Sequence, residues 1–175
     1  MIQVKNSEQV AIMRQAGRIT GEALLKAAEH IKEGISTYEL DKIIHDHIVK
    51  SGAKPSFLGY GGFPASACIS LNEEVIHGIP RKDKILREGD IVKIDVGAYY
   101  KGFHGDSAKT FGVGAISNEA KRLIESTKEA FHRGAAKAVA GGRIGDIGAA
   151  VSEYATAQGY GVVRKYVGHG VGHQL

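Results

Sequence analysis

IVKIDVGAYYKGFHGDSAKT, residues 91–110, is the stretch that decides the fold of this chain. Its first part is rich in Ile and Val and predicts a strand that carries Asp95. Tyr100-Lys101-Gly102 has the composition of a turn, and the segment after it carries Asp106. Because both aspartates lie about five residues from the centre of this turn, we expect a β-hairpin that places them opposite each other.

Two facing carboxylates need a compensating partner. Like charges repel across neighbouring strands, and a carboxylate that points into a core is costly unless it is paired or bound to a metal. A divalent cation held by Asp95 and Asp106 would meet both needs, since hard cations prefer oxygen ligands. The alternatives are a solvated sheet face and pairing with the nearby Lys93 and Lys109. The spacing alone leaves these interpretations open.

Helical segments flank the strand-rich region of residues 55–110. Apolar residues at helical spacing predict a helix over 7–31 and a second one from Ser36 to a glycine stop at Gly52, each opened by a capping box. Between the helical segments, short apolar runs such as 67–70 predict strands. The later part of the chain predicts helices over 117–142 and 146–158 and a strand over 162–167. This arrangement predicts an α+β fold.

The helical segments repeat along the chain. Gly34 and Gly52 bracket one helix, and Gly141 and Gly159 bracket another helix 107 positions later. The order of helix, glycine, helix, glycine and strand is the same in both parts, although few residues are identical. We interpret the order as two half-symmetric units, the first over 7–113. A second unit of the same length would extend to about position 220, so we expect the second half to be incomplete within these 175 residues.

Composition limits the class of protein. With 43% hydrophobic and 24% charged residues, the 175-residue chain is typical of one folded globular domain. The net charge of +4 is mild and scattered, which favours solubility over nucleic-acid binding. A lone cysteine, Cys68, excludes an intramolecular disulfide and a cysteine zinc finger. Since no signal peptide or membrane span is apparent, we expect a cytoplasmic protein without membrane partners.

Three further stretches are candidates for chemistry. His77 lies in NEEVIHGIP (72–80) before a Gly/Pro turn, where a neutral imidazole could hydrogen-bond a substrate; a structural role is the alternative. His169 lies in VGHGVGH (167–173), whose glycines exclude a zinc-binding helix and favour a strand end that approaches a metal or ligand. FLGYGGFP (57–64) has the composition of a small apolar pocket, or of core packing. His45 and His47 point apart on a predicted helix, so they are not a ligand pair.

These motifs together resemble those of one enzyme family. The stretches that carry the resemblance are FLGY (57–60), CISLNE (68–73), VIHGIP (75–80), DVG (95–97), GFHGD (102–106) and VGHGVG (167–172). They resemble bacterial type I methionine aminopeptidases, in the same order and over essentially the whole chain. Such enzymes remove the initiator methionine when the second residue is small. The resemblance implies a pita-bread fold, in which pseudo-twofold halves of helices surround an antiparallel sheet.

The resemblance also implies roles for single residues. Asp95 matches an aspartate ligand of one metal ion, Asp106 matches the aspartate that bridges two ions, and His169 matches a histidine ligand of the other ion. His77 matches the histidine that contacts the substrate near the scissile bond. A further set matches the walls of the methionine pocket: Phe57, Tyr60, Phe63 and Cys68. Aromatic and sulfur groups suit a thioether side chain.

The resemblance sets expectations for cofactors and partners. It implies two divalent ions (Co, Mn, Fe or Zn) held by five ligands, of which two glutamates have no matching motif in these 175 residues. We therefore expect residues 1–175 to be a single catalytic domain without the C-terminal part of its sheet, to hold at most one ion weakly and to show no meaningful turnover. The expected protein is a monomer that acts on nascent N-terminal Met peptides; contact with the ribosome stays open. The alternatives are a non-catalytic binding protein on the same fold and an Xaa-Pro-type aminopeptidase.

Overall fold

The computed structural model describes residues 3–166 and 168–175. Its regular elements, in chain order, are α1 (Ser7–Ala28), α2 (Thr37–Lys50), β1 (Lys54–Pro55), a 3-10 turn (Tyr60–Gly62), β2 (Ala67–Leu71), β3 (Ile91–Tyr100), β4 (Phe103–Gly112), α3 (Asn118–Ala135) and α4 (Ile144–Ala157). They fall into two compact units, residues 1–116 with 170–175 and residues 117–169. Helices and an antiparallel sheet confirm the predicted α+β fold.

Strand β3 is the centre of the sheet in the first unit. It pairs along its whole length with β4, from Tyr100 opposite Phe103 to Ile91 opposite Gly112. Its other edge pairs antiparallel with β1 and β2. Every neighbour of β3 is thus antiparallel, as the predicted hairpin requires.

One face of the sheet forms the core of the first unit. Because side chains alternate along a strand, Val92, Ile94, Val96 and Ala98 of β3 share a face, and all four are fully buried. Helix α1 packs against β3, β4 and α2. At Gly105 the α1 backbone comes so close that a Cβ would lie 2.6 Å from Ala16 O. The opposite face of the sheet, which carries Asp95, lies outside this core.

Both predicted capping boxes are present. Asn6 Oδ1 accepts a hydrogen bond from Gln9 N at 2.9 Å, and Ser36 caps α2 in the same way. Helix α1 ends three residues before the predicted bound, because the chain turns after the C-cap Glu29, although Ile31 still packs against the core. No helix among the described residues has the length and apolar character needed to cross a membrane.

The second unit contains the helical hairpin of α3 and α4. Gly134 allows close packing, since a Cβ there would lie 2.7 Å from Val151 Cγ2. Helix α3 ends at Ala135, before the predicted 142, because the chain turns tightly: Lys137 N donates to Gly134 O. Helix α4 begins two residues before the predicted Asp146, whose carboxylate accepts the N–H of the N-cap Arg143 at 2.8 Å.

The strand predicted over 162–167 is wrong for its described part. Residues 162–166 adopt no strand, and Val167 lies outside the described residues. Apolar Val162 and Val163 suit a strand, but a strand needs a partner that receives its backbone hydrogen bonds. None of the strands in the described residues pairs with 162–166.

The helical part of the predicted repeat is confirmed. Helices α2 and α4 are both 14 residues long and their bounds differ by 107 positions, as do the C-terminal ends of α1 and α3. The four bracketing glycines all have positive φ: Gly34 (89°), Gly52 (74°), Gly141 (83°) and Gly159 (83°). Glycine adopts this backbone without strain and commonly ends helices. The two parts therefore share a pattern of helix lengths and stops.

Candidate active site

Asp95 and Asp106 lie on the same face of the sheet. In the β3–β4 ladder Asp95 pairs with Ala108, and Asp106 pairs with Gly97. Asp95 and Gly97 are two residues apart on β3 and share a face, so their cross-strand partners share it too. The two aspartates are therefore diagonal neighbours, and the Cα atoms of such a pair lie about 7 Å apart. Two aspartate side chains at this spacing can both reach one cation.

The strand register differs from the prediction, which placed the two aspartates directly opposite each other. The predicted turn is centred on Lys101, whereas the observed turn consists of Lys101 and Gly102, with φ of 46° and 91°. Two consecutive residues with positive φ form a type I′ turn, whose twist matches that of the flanking strands. Asp95 and Asp106 are therefore not directly opposite each other, although they stay on one face.

Cys68 belongs to the same face. It pairs with Asp95 across the β2–β3 ladder and is 7% exposed. Burial raises the pKa of the Cys68 thiol to about 12, and the negative charges of Asp95 and then Asp106 and Asp41 add to this effect. A thiol that stays neutral at physiological pH is not a nucleophile. It is a small apolar group opposite Asp95, on the same sheet face as both carboxylates.

The two alternative lysine partners make other contacts. The Lys93 amine donates a hydrogen bond to Asn72 O. Lys109 pairs with Ile94, on the core-facing side, and its Nζ lies 5.3 Å from the centre of the Phe111 ring. Each lysine therefore has a contact with a group other than the two aspartates. The pair fits two oxygen ligands of a divalent cation, and within the described part of the first unit no three His, Cys, Asp or Glu side chains gather as a complete ligand group.

Phe57 forms a wall beside the aspartates. Ser56 N donates to Gly97 O at 2.9 Å, and a Cβ at Gly97 would lie 2.7 Å from Phe57 Cε1. Because Gly97 has no side chain, the Phe57 ring can pack directly against it. Gly97 is also the residue that pairs with Asp106, so the ring lies close to that aspartate's position on the sheet. Tyr60 and Phe63 lie in the same loop, which is closed by the bond from Phe63 N to Tyr60 O at 2.9 Å. Tyr60 is 60% exposed and Phe63 is half-buried, whereas Phe57 is buried and its ring lies against Gly97 of the sheet.

His77 lies in the turn that follows β2. Its φ of 57° is unusual for a residue with a Cβ. Gly78 fastens this turn to β2, since Ile69 N donates to Gly78 O at 2.8 Å and Gly78 N donates to Ser70 Oγ at 2.9 Å. The turn that carries His77 is therefore attached to β2, the strand that also carries Cys68.

His169 belongs to the second unit, where it follows α4 in irregular backbone. Residues 168–173 form no helix, as the glycines predict. The predicted role of His169 as a metal ligand stays a prediction. His173, in the first unit, places Nδ1 2.7 Å from Gly102 O and stacks on Phe103 with ring centres 4.0 Å apart.

Sequence reasoning missed His104. It lies two residues before Asp106 on β4 and so shares the face of both aspartates, with Nδ1 2.8 Å from Ser56 Oγ. Burial lowers the pKa of His104, although the charge of Asp106 opposes the shift. The period-two alternation of the strand is the signal that points to this residue.

His45 and His47 are confirmed as separate helix residues. Both lie on α2, but His45 Nδ1 lies 2.8 Å from Ser66 Oγ, while His47 Nε2 lies 3.8 Å from a Glu22 carboxylate oxygen. The two rings therefore serve different contacts.

Comparisons with known proteins identify the family. The model of metallopeptidase family M24 matches residues 11–175. The chain belongs to metallopeptidase family M24. Within that family it is 53% identical over 175 residues to a methionine aminopeptidase of Clostridium acetobutylicum and 48% identical to methionine aminopeptidase 1 of Bacillus subtilis. In both comparisons the alignment covers all of this chain and 70% of the relative.

Solved structures support the same assignment. A methionine aminopeptidase from Thermotoga maritima matches with a TM-score of 0.95 and 38% identity, over 99% of this chain and 70% of that one. A prolidase from Pyrococcus furiosus matches with a TM-score of 0.86 and 27% identity, over 98% of this chain and 49% of that one. The chain thus has the pita-bread fold of M24 peptidases, and its sequence is more similar to the methionine aminopeptidases.

Proposed function

We propose that this protein is a metal-dependent aminopeptidase that releases the N-terminal methionine of nascent proteins and peptides. The observation that supports this most directly is the placement of Asp95 and Asp106 on one sheet face, beside Cys68 and the Phe57 ring. This arrangement puts two carboxylates next to a buried apolar wall, in a chain that is 53% identical to a methionine aminopeptidase.

Asp95 and Asp106 would hold a divalent metal ion, with His169 as a further ligand. When bound, such an ion lowers the pKa of a water and polarises a peptide carbonyl. Phe57, Tyr60, Phe63 and Cys68 would line the pocket for the methionine side chain, which suits aromatic and sulfur groups. His77 would hydrogen-bond the peptide near the bond that is cleaved.

The ligands in residues 1–175 favour a single, weakly held ion. Two carboxylates bring two negative charges and His169 is a neutral ligand, whereas two divalent ions bring four positive charges. Oxygen and imidazole ligands are compatible with Mn, Fe, Co and Zn. We expect residues 1–175 alone to bind one ion and to release no methionine above background.

The surroundings of the protein follow from the same proposal. Its substrates would be nascent chains, which it would meet in the cytoplasm, and contact with the ribosome would bring it to them. We also propose that it acts as a monomer. Because one family model spans residues 11–175, we also propose that both compact units belong to a single catalytic domain.

A substrate panel tests the proposed function. The full-length gene product is assayed with Met-Ala-Ser and with an Ala-Pro-Ser peptide, in Mn²⁺ and in excess chelator. We expect methionine release only with metal, and no cleavage before proline. Preferred cleavage of the Xaa-Pro peptide would indicate the specificity that the prolidase likeness allows. Release that persists in chelator would refute metal dependence, and Mn²⁺ binding without any cleavage would favour a binding protein.

A further inference from the structure

The turn that carries His77 has an unfavourable backbone. Both Asn72 and His77 have positive φ, 46° and 57°. Side chains with a Cβ rarely adopt this conformation, and it persists where surrounding contacts hold it. The contacts that hold the turn therefore determine where the His77 ring is presented.

The C-terminal part of the turn is held by Gly78. Ile69 N donates to Gly78 O at 2.8 Å, and Gly78 N donates to the buried Ser70 Oγ at 2.9 Å. A Cβ at Gly78 would collide with Ile69 O. The backbone next to His77 is thus pressed against β2 without space for a side chain.

The N-terminal part of the turn is held by Lys84. Its amine donates to Glu74 Oε2 and, at 3.2 Å, to Ile69 O. Glu74 Oε2 also accepts the N–H of Leu71 at 2.8 Å. Ile69 is also the residue whose N–H fastens Gly78, so the Lys84 ammonium and Gly78 both bind β2 at Ile69, one at its carbonyl and the other at its N–H.

The Lys84 side chain is withdrawn from solvent, with 16% exposed. Burial alone would raise the pKa of Glu74, but the hydrogen bond from Lys84 and then that from Leu71 bring it below its ordinary value. The Glu74 side chain is 41% exposed, so solvent weakens the pair in part, but a charge-assisted bond with one shielded partner is stronger than a pair between two fully exposed groups. This contact can therefore offset an unfavourable backbone.

We propose that Lys84, together with Glu74, is the positioning residue that fixes the turn carrying His77 toward the peptide substrate. The proposal rests on the proposed function in one respect, the role of His77 at the substrate. The hydrogen bonds that the Lys84 amine donates go to Ile69 and Glu74, so the side chain acts through the turn and not on the reacting atoms.

Amide hydrogen exchange of the full-length protein tests the positioning directly. Lys84→Met removes the charged amine and keeps an unbranched side chain that is one atom shorter, and Lys82→Met is the matched control, an exposed lysine over the Tyr38 ring. We expect the Ile69 and Gly78 amides to exchange about tenfold faster in K84M and at the wild-type rate in K82M. Unchanged exchange at Gly78, or an equal loss of protection throughout β3, would overturn the proposal.

Kinetics of the full-length protein separate positioning from a general structural role. His77 is placed near the scissile bond, while Phe57 and Cys68 bind the methionine side chain. K84M should therefore lower kcat for a Met-Ala peptide by about tenfold with KM changed less than about twofold. Mn²⁺ affinity, measured by calorimetry, should stay at the wild-type value.

Two further variants complete the test: one keeps a cation at position 84, and the other neutralises its partner Glu74. Lys84→Arg retains a cationic donor and should keep kcat within about threefold of wild type. Glu74→Gln should reproduce the K84M effect, and it serves if K84M does not fold. A rise in KM alone, or a parallel loss of Mn²⁺ affinity, would contradict the proposal. If the wild type releases no methionine, the proposed function fails, while the exchange rates still decide the part of Lys84.

Discussion

Asp41 is a residue outside the proposed site that sets the position of the site. It lies on α2, and its Oδ1 accepts hydrogen bonds from Ser66 N at 2.9 Å and Ala67 N at 2.8 Å. Ser66 precedes β2 and Ala67 is its first residue, so they lie two positions and one position before Cys68, the partner of Asp95. Burial raises the pKa of Asp41, although the two backbone hydrogen bonds oppose this shift. The carboxylate thus connects a helix to the strand that carries the pocket wall.

Replacing Asp41 should destabilise the protein. In Asp41→Ala two part-buried backbone N–H groups lose their acceptor, so we expect a loss of about 1–3 kcal/mol in the free energy of unfolding. Asp41→Asn keeps an acceptor oxygen and should lose less. Asp46→Ala, on the exposed side of the same helix, is the control and should stay within about 0.5 kcal/mol of wild type. Equal urea midpoints for D41A and D46A would contradict this role.

The stability difference between wild type and Asp41→Asn should depend on pH. The raised pKa of Asp41 means that the folded protein holds this proton more tightly than the unfolded chain. The contribution is fully present below the unfolded pKa and is lost as pH rises through the higher folded pKa. Wild type should therefore lose stability relative to D41N as the pH rises through this acid range. Urea unfolding at several pH values measures this, and a difference that grows in the opposite direction would refute the raised pKa.

Single residues of the site were predictable to different degrees. The types and positions of Asp95 and Asp106 point to a shared face, because side chains alternate in a hairpin. Their diagonal offset depends on φ at Lys101, which composition does not specify. Period-two alternation places His104 on the face of Asp106, whereas Lys84 required knowledge of which carbonyl its long side chain reaches.

At the scale of elements, a glycine inside α1 and a glycine that packs against α1 should respond in opposite ways to alanine substitution. Gly21 lies inside α1 with no atom within 4 Å of a Cβ, whereas Gly105 of β4 lies against the α1 backbone. Gly21→Ala should stabilise the fold by about 0.5–1 kcal/mol, because alanine loses less backbone entropy in a helix. Gly105→Ala should destabilise it by about 1–3 kcal/mol through collision with Ala16 O. Thermal unfolding of both variants checks this pair, and a stabilising G105A would contradict the close packing of α1 on β4.

Element boundaries followed local signals where such signals exist. Capping boxes at Asn6 and Ser36 fix the starts of α1 and α2, since both partners lie within one turn. The end of α3 and the absent strand at 162–166 depend on tertiary contacts and on a pairing partner. The spacing of apolar residues along the sequence predicts neither the tertiary contacts nor the pairing partner.

At the scale of the whole molecule, the two units differ in how they bury apolar surface. The first unit has a continuous core around β3, in which Ile44, Ile69 and Ile94 are fully buried. In the second unit α4 has no buried residue, and its Ile144 is 86% exposed. The repeated helix lengths could be predicted from the glycine spacing, whereas the degree of burial in each unit could not.

Asp106, together with Asp95, is proposed to hold the metal ion on which methionine release depends. The most direct measurement is the rate of methionine release from Met-Ala-Ser by the full-length protein at saturating Mn²⁺, for wild type and for Asp106→Ala. We predict metal-dependent release by wild type and a loss of at least about a hundredfold in the variant, because a carboxylate ligand is removed. Release by Asp106→Ala at the wild-type rate, from protein with an unchanged fold, would contradict the claim.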